Sequence, residues 1–570
     1  MANVKFDRKR FEKEIGKLDE KMQNKIGMFG TTLESLTNEE IEIEIFPNRP
    51  DLLSFQGFKR AFLAFLGKKI GLKQYKVHKP KDEYKVTMDT SLKGVRPYTA
   101  CAVVKGLKLD DKKIKEVVDI QEKLHSTLGR KRKKVAIGIY PMEKIQPPIT
   151  FKAMEPDKIK FQPLESNREM SGLQILQRHP AGRDYAHLLA GKTKFPVFID
   201  SSENEKAEGE KGKILSMPPI INSHATGKIS EKTKDVFIEC SGYDFEVCKK
   251  CLNIISSTFA DLGGKIYQME LDIKTESKHR KENTPDLTPE KKKISRENVN
   301  KLLGIELTGK QIKNCLERMG HNYNPKTREG EVPAWRNDVL HEVDIIEDIA
   351  VAYGYENFEP EIPEISTTGE ANQEEKIKKK ISEIYSGLGM MEISNYHLTK
   401  FEDQFEKMGI NEKKASEYIK VEESKTDYNV LRKDLTHYLL KIFSENVDSE
   451  YPQKIFETGK SFGLDKSGEV EETEKLSAGI CPGDYTKIKQ ILDYMGNMLD
   501  IEISYKESSN YNDLGHFIKG RVAEVYVGND KTKAGYIGEV HPKILNKWKV
   551  RNPVALFEIS LEKIFENLKE

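Results

Sequence analysis

The chain has 570 residues, 94 of them Lys or Arg and 92 Asp or Glu, with 37% hydrophobic and 33% charged residues. At roughly 100–200 residues per domain this length excludes a single core and implies about four domains, while the near-neutral charge excludes a global electrostatic case for nucleic acid or membrane. No apolar run approaches the ~18 residues of a membrane span, and the start "MANVKFDRKRFEKEIGKLDEK" lacks a secretory core, so a cytoplasmic location is expected.

Polar stretches at 76–94, 274–293 and 359–375 read as joints and divide the chain into 1–88, 89–273, 287–360 and 361–570. The first part ends in "FPNRPDLLSFQGFKRAFLAFLG", where Asn48 to Pro50 supply turn chemistry and Asp51 is the expected cap. Phe55, Phe58, Phe62 and Phe65 then mark one apolar helical face.

The second part mixes strand-like runs ("YTACAVVKG", "KVAIGIY", "PVFID", "DVFIEC") with amphipathic helices such as "IKEVVDIQEKLHSTLG", and reads as α+β. Cys248 and Cys251 form a C-x-x-C without a second pair at zinc spacing, so they read as helix residues; scattered cysteines fit a reducing compartment. The charged stretch 200–213, between "FPVFI" and "ILSMPPII", reads as a hairpin tip or insertion.

The third part opens on two short helical patterns with Ser295 and Thr308 as caps, a helix-turn-helix outline. The fourth begins with a helix from about 373 and ends in strands. There "GND" turns the chain between two period-2 runs, which implies an antiparallel sheet.

Chemistry-bearing clusters are few. In "RNDVLHEVDIIED" four carboxylates, Asp338, Asp344, Glu347 and Asp348, fall within eleven positions, and Val343, Ile346, Ile349 and Ala350 define an apolar helical face opposite the last three. Spacing alone leaves two readings open: a hard divalent cation held by oxygen, or acids favoured at a helix start. "GRKRKK" puts Arg130, Lys131, Arg132, Lys133 and Lys134 before a strand, either a solvated loop or a contact for RNA phosphates. In "SMPPIINSHATGKIS" two prolines stiffen a segment that offers Asn222, Ser223, His224 and Thr226, a turn or a pocket wall. No phosphate-loop, dinucleotide or zinc-protease motif is present.

The segments "PNRPDLLS", "RPYTACAVV", "GRKRKKVAIGIY", "LSMPPIIN", "DVFIECSGYD" and "WRNDVLHEVDIIEDIAVAYGYENF", in this order, resemble the β subunit of phenylalanyl-tRNA synthetase in its archaeal and eukaryotic cytosolic form. The resemblance implies an α+β multidomain chain. Its parts would be an N-terminal α/β region, an α+β tRNA-editing domain, a helix-turn-helix-like (winged-helix-like) metal-carrying domain, and a class II synthetase-like antiparallel-sheet core without catalytic motifs.

It further implies an assembly of two α and two β chains that joins phenylalanine to its tRNA with ATP, the synthetic site lying on α. "IFETGKSF" and "YIGEVHPKILNKW" agree, since they lack the arginines a class II core aims at ATP phosphates. The second part resembles the domain that hydrolyses tyrosine misattached to the tRNA. By position in the motif, Asn222, Ser223, Thr226, Glu239, Ser241 and, more distantly, Asp235 are its pocket candidates. The family pattern D-x5-D-x2-E-[DE] is met by Asp338, Asp344, Glu347 and Asp348, implying structural Mg2+, and Arg130 to Lys134 are the candidate tRNA contacts. Two features depart from the pattern: Tyr140-Pro141 after "AIG", and the insertion at 200–213. The rival reading is a free-standing editing or RNA-binding protein with a vestigial synthetase-like part.

Overall fold

Phe55, Phe58, Phe62 and Phe65 are all buried on one side of the helix Phe55–Phe65, and the rings of Phe6, Phe11 and Phe29 pack round Phe58 at 5.5, 6.2 and 6.0 Å. Ser54 caps this helix by accepting the Gly57 N–H, where the sequence pointed to Asp51. Asp51 lies instead in the short turn Pro50–Leu52 and accepts two bonds of 2.9 Å from Arg49 Nε and Nη2. The reason is burial: at 1% exposure a carboxylate needs a charged partner more than the helix needs a second cap.

The computed structural model describes residues 2–202, 206–207, 210–364, 367–410, 418–508, 514–528 and 532–568, without the side chains of 206–207 and 210–211. The chain is mixed α/β and divides into two units, Met1–Ile362 and Pro363–Glu570.

The first unit is built round an 11-stranded sheet. Its main path runs Ile221–Asn222, Ile214–Met217, Phe195–Ile199, Ile149–Met154, Lys85–Met88, Lys265–Ile273, Tyr98–Lys105, Val236–Gly242, Val135–Pro141. The strand Val236–Gly242 is buried along its length and antiparallel to both neighbours. The helix Phe245–Asp261 packs on this region and buries Cys248 and Cys251 as free thiols. The strands Phe195–Ile199 and Ile214–Met217 pair antiparallel, so 200–213 is a hairpin connection; its residues 203–205 and 208–209 lie outside the described ones.

Helices Arg296–Leu303 and Gly309–Arg318 carry the caps read from sequence, Ser295 and Thr308, and are accompanied by three short antiparallel strands in the order Glu290–Lys293, Glu329–Val332, Asn322–Asn324. One apolar cluster runs from Val4 to Ala352.

In the second unit a seven-stranded sheet runs Met391–Glu392, Gln453–Leu464, Val470–Cys481, Ala555–Ser560, Thr532–Val540, Phe517–Val527, Ile503–Glu507. Alternation splits its core: Phe456 and Phe557 join helices Gln373–Gly387 and Tyr485–Leu499, while Ile455 and Leu556 join helix Thr436–Glu445. The hairpin read from "GND" pairs as expected, although residues 529–531 of its turn lie outside the described ones. Among the described residues no helix is long and apolar enough to cross a membrane.

Candidate functional site

Antiparallel register sets Glu239 opposite Gly138 on one side and Cys101 on the other. A cavity of about 580 Å³ opens beside Glu239, walled by strand 135–141, helix Asp111–Ser126 and the segment 218–229 that carries Asn222. Gly138 makes the approach of Tyr140 to Glu239 possible, since a Cβ there would lie 2.3 Å from the Tyr140 hydroxyl and 2.5 Å from Glu239 Oε1. That hydroxyl donates to Ser216 Oγ at 2.8 Å and lies 3.3 Å from both Asn222 Oδ1 and Glu239 Oε1.

Glu239 is 2% exposed, and burial pushes its carboxyl up to about 8 against the opposing pull of Arg96, Tyr140 and Ser241. Its second oxygen, Oε2, has no hydrogen-bond partner among the described residues. A carboxyl that is largely protonated at neutral pH can both donate and accept, so it suits a ligand hydroxyl.

Two histidines sit on the same cavity. His125 Nε2 accepts the Ile137 N–H at 2.8 Å, which puts its proton on Nδ1, facing Glu122; burial lowers its pKa. His179 Nε2 donates to the Leu164 carbonyl at 3.0 Å and leaves Nδ1 as a buried acceptor without a partner among the described residues. Arg132 donates to the Ile220 carbonyl at 2.9 Å and to Glu122 at 3.1 Å, and its guanidinium lies 4.3 Å from the centre of the Tyr185 ring. It therefore fastens the basic loop to the cavity wall, while Arg130, Lys131, Lys133 and Lys134 are exposed. Arg130, Lys131 and Arg132 hold consecutive left-handed φ angles of 47°, 52° and 65°, a tight turn that sequence alone does not announce.

Of the expected pocket residues, Asn222, His224 and Glu239 line the cavity. The others have different partners. Thr226 Oγ1 donates to the Leu215 carbonyl, Ser241 Oγ accepts from Arg96 Nε, and Ser223 closes a turn through its backbone bonds to Leu215 and Gly227. Asp235 accepts from the Gly106 N–H and pairs with Lys105. His179 also lines the cavity, while Tyr140, Ser216 and Gly138 stand behind it against Glu239; none of these was singled out as a pocket residue, and cross-strand register is what sets Gly138 beside Glu239.

The four carboxylates of 338–348 do not converge. Asp338 accepts two bonds from Arg336, at 2.8 and 2.7 Å, and Asp348 pairs with Arg336 at 2.9 Å and with His321 at 2.6 Å. Burial pushes Asp348 up, but Arg336 and His321 outweigh it and hold the carboxyl well below the usual range. Asp344 caps the helix Glu342–Tyr353 by accepting the Leu340 and His341 N–H groups, and Glu347 is exposed. The donor set is all hard oxygen, which suits Mg2+, but among the described residues no group of three or more His, Cys, Asp or Glu is placed to hold a metal. As arranged, Asp338 and Asp348 serve the Arg336 guanidinium, and the four carboxylates do not make a shared cation site. The expected helical face is also rotated, for Asp348 is 6% exposed and Val343 50%.

In the second unit a cavity of about 320 Å³ is lined by Asp434, Lys475, His516 and Glu558, with no arginine among its described residues. Residues 363–570 contain three arginines. Arg432 is buried on Glu457 at 2.6 Å and on the Lys460 carbonyl, Arg521 pairs with Glu539, and Arg551 lies outside the cavity lining. Glu457 belongs to "IFETGKSF", so the arginine nearest this motif is already committed to a buried ion pair.

Comparison with known proteins agrees with this architecture. Residues 292–355 match the family model of the tRNA synthetase B5 domain, and residues 359–561 that of the phenylalanyl tRNA synthetase beta chain CLM domain. The phenylalanine–tRNA ligase beta subunit of Thermococcus sibiricus is 39% identical over 526 residues, 91% of this chain and 90% of the relative. That of Pyrococcus furiosus is 37% identical over 528 residues, with the same shares covered. The solved N-terminal fragment of the phenylalanyl-tRNA synthetase beta subunit from Pyrococcus horikoshii superposes with a TM-score of 0.57 at 35% identity, covering 62% of this chain and 99% of the fragment. With that identity over nine-tenths of its length, the chain belongs to the family of phenylalanine–tRNA ligase beta subunits.

Proposed function

We propose that the cavity beside Glu239 hydrolyses tyrosine misattached to the phenylalanine tRNA, and that residues 89–273 form this editing domain between an N-terminal domain (1–88) and a helix-turn-helix-like domain (287–360). The observation that carries the reading is the unpartnered Oε2 of a buried glutamic acid on the wall of a cavity. An apolar pocket rejects an added hydroxyl only about a hundredfold, whereas a site built to bond that hydroxyl discriminates far more strongly. A tyrosine ring meets a partner at Glu239, and a phenylalanine ring leaves a buried polar group unpaired.

Asn222, whose Oδ1 shares the Tyr140 hydroxyl, orients this wall. Among the described residues that line the cavity there is no serine, threonine or cysteine to serve as nucleophile. Hydrolysis therefore runs through a positioned water, with the terminal ribose hydroxyl of the ester as its helper. Arg130, Lys131, Lys133 and Lys134 meet tRNA phosphates at the rim, with Arg132 holding the loop in place.

Residues 361–570 serve assembly rather than synthesis, and the phosphate-gripping arginines come from the α subunit in a tetramer of two α and two β chains in the cytoplasm. ATP is bound there and not by this chain. The test is deacylation of tyrosyl-tRNA specific for phenylalanine by wild type, Asn222→Ala and Glu239→Ala.

A further inference from the structure

A second cavity, of about 330 Å³, lies where the helix Phe55–Phe65 and the loop after it meet Asp261 and the segment 319–336. Three arginines line it, and two of them use the same edge of the guanidinium. Arg49 places Nε and Nη2 on Asp51, and Arg336 places Nε and Nη2 on Asp338. Arg60 does not. Its Nη1 donates to Tyr75 and Asp261, at 2.9 and 2.6 Å, while Nε and Nη2, in a side chain 8% exposed, have no partner among the described residues.

The Arg60 guanidinium stands 4.5 Å from the centre of the Trp335 ring, a contact that uses its face and leaves the in-plane N–H edge unspent. Gln56, four residues earlier on the same helical face, has a buried Oε1 that likewise lacks a partner. Lys69 is exposed and without a carboxylate partner among the described residues, and Lys73 pairs with Asp261 at the same cavity.

We propose that this cavity is an anion site, in which the Nε/Nη2 edge of Arg60 grips a phosphate bearing a protonated oxygen: free phosphate, diphosphate or a phosphate monoester. Parallel N–H groups on one guanidinium edge match two oxygens of an oxyanion. The Gln56 carbonyl needs a donor beside that anion, and a P–OH supplies it where a carboxylate or a phosphodiester does not. Lys69 adds positive charge at the cavity, while Lys73 shares Asp261 with Arg60. This site is separate from the Glu239 cavity and does not depend on its assignment.

Calorimetric titration of the full chain with orthophosphate, diphosphate and sulfate tests it, alongside the fluorescence of Trp335, one of two tryptophans. Saturable binding of phosphate and diphosphate with a change in tryptophan emission is expected, sulfate binding being weaker for want of a proton. Arg60→Lys, which keeps the charge and loses the fork, should weaken binding about tenfold. Lys69→Glu, at an exposed position, should weaken it in a protein whose fold is untouched. Displacement by tRNA with a 5′-monophosphate, and not by the dephosphorylated RNA, would assign the site to the RNA end; no displacement by either would assign it to the free anion. No saturation at millimolar ligand, or equal affinity in wild type and Lys69→Glu, would overturn the proposal.

Discussion

The Tyr140 hydroxyl lies 3.3 Å from Glu239 Oε1, so the protein's own phenol stands at one oxygen of a buried carboxyl while the other has no partner among the described residues. A tyrosine ligand would repeat, at Oε2, the contact that Tyr140 makes at Oε1.

Burial raises the Glu239 carboxyl from 4.5 to about 8. Between these values the unfolded chain has lost the proton and the native state still holds it, so stability falls as pH rises through this window and levels off above it. The slope approaches 1.4 kcal/mol per pH unit at its steepest. Glu239→Gln removes the titration. Thermal melts from pH 5 to 9 should therefore show wild type losing stability relative to the Gln variant up to about pH 8; parallel curves would contradict the raised pKa.

Gly138, opposite Glu239 in the sheet, leaves no room for a side chain. Gly138→Ala sets a methyl against the Tyr140 hydroxyl and Glu239 Oε1, and overpacking of this kind costs about 1–3 kcal/mol. Adding Tyr140→Phe removes the nearest clashing oxygen, so the double variant should recover part of the loss in urea unfolding. A double variant no more stable than Gly138→Ala would show that the clash lies elsewhere.

How much of this was legible in the sequence depends on the range of the interaction. The Phe55 to Phe65 face and the caps Ser295 and Thr308 follow local periodicity and cap chemistry, and all formed as read. Asp51 and Asp348 were misread for one reason: each is buried by distant chain and answers to an arginine, where local pattern offered a cap and a solvent face. The Gly138–Glu239 juxtaposition is a matter of strand register between segments a hundred residues apart, and no single-chain pattern encodes it.

Arg336 stands between Asp338 and Asp348, two of the four carboxylates for which the family resemblance implied Mg2+. Chelation with EDTA should leave the melting temperature of the full chain unchanged, whereas Arg336→Met, which strands Asp338 and leaves Asp348 with His321 alone, should cost about 3–5 kcal/mol. A fall of several degrees on chelation, restored by Mg2+, would mean that a divalent ion joins or displaces the guanidinium.

Arg432 and Glu457 form a buried pair, each side chain 2% exposed, beside "IFETGKSF". Removing either partner alone should destabilise the second unit by about 3–5 kcal/mol, and replacing both with apolar residues by less than the sum. Since this arginine is committed and the neighbouring cavity has none among its described lining residues, the isolated chain should show no phenylalanine-dependent ATP–diphosphate exchange until the α subunit is added. Exchange by the isolated chain would contradict the assignment of synthesis to its partner.

The assignment of the Glu239 cavity stands or falls on tyrosyl-tRNA deacylation by the assembled enzyme. Glu239→Gln keeps the size of the side chain and cannot titrate, and Glu239→Ala removes the partner altogether. Wild type should hydrolyse tyrosyl-tRNA and spare phenylalanyl-tRNA, with Glu239→Ala slowed about 10- to 100-fold and phenylalanine charging close to normal. Equal deacylation rates in wild type and Glu239→Ala would remove this cavity from the reaction.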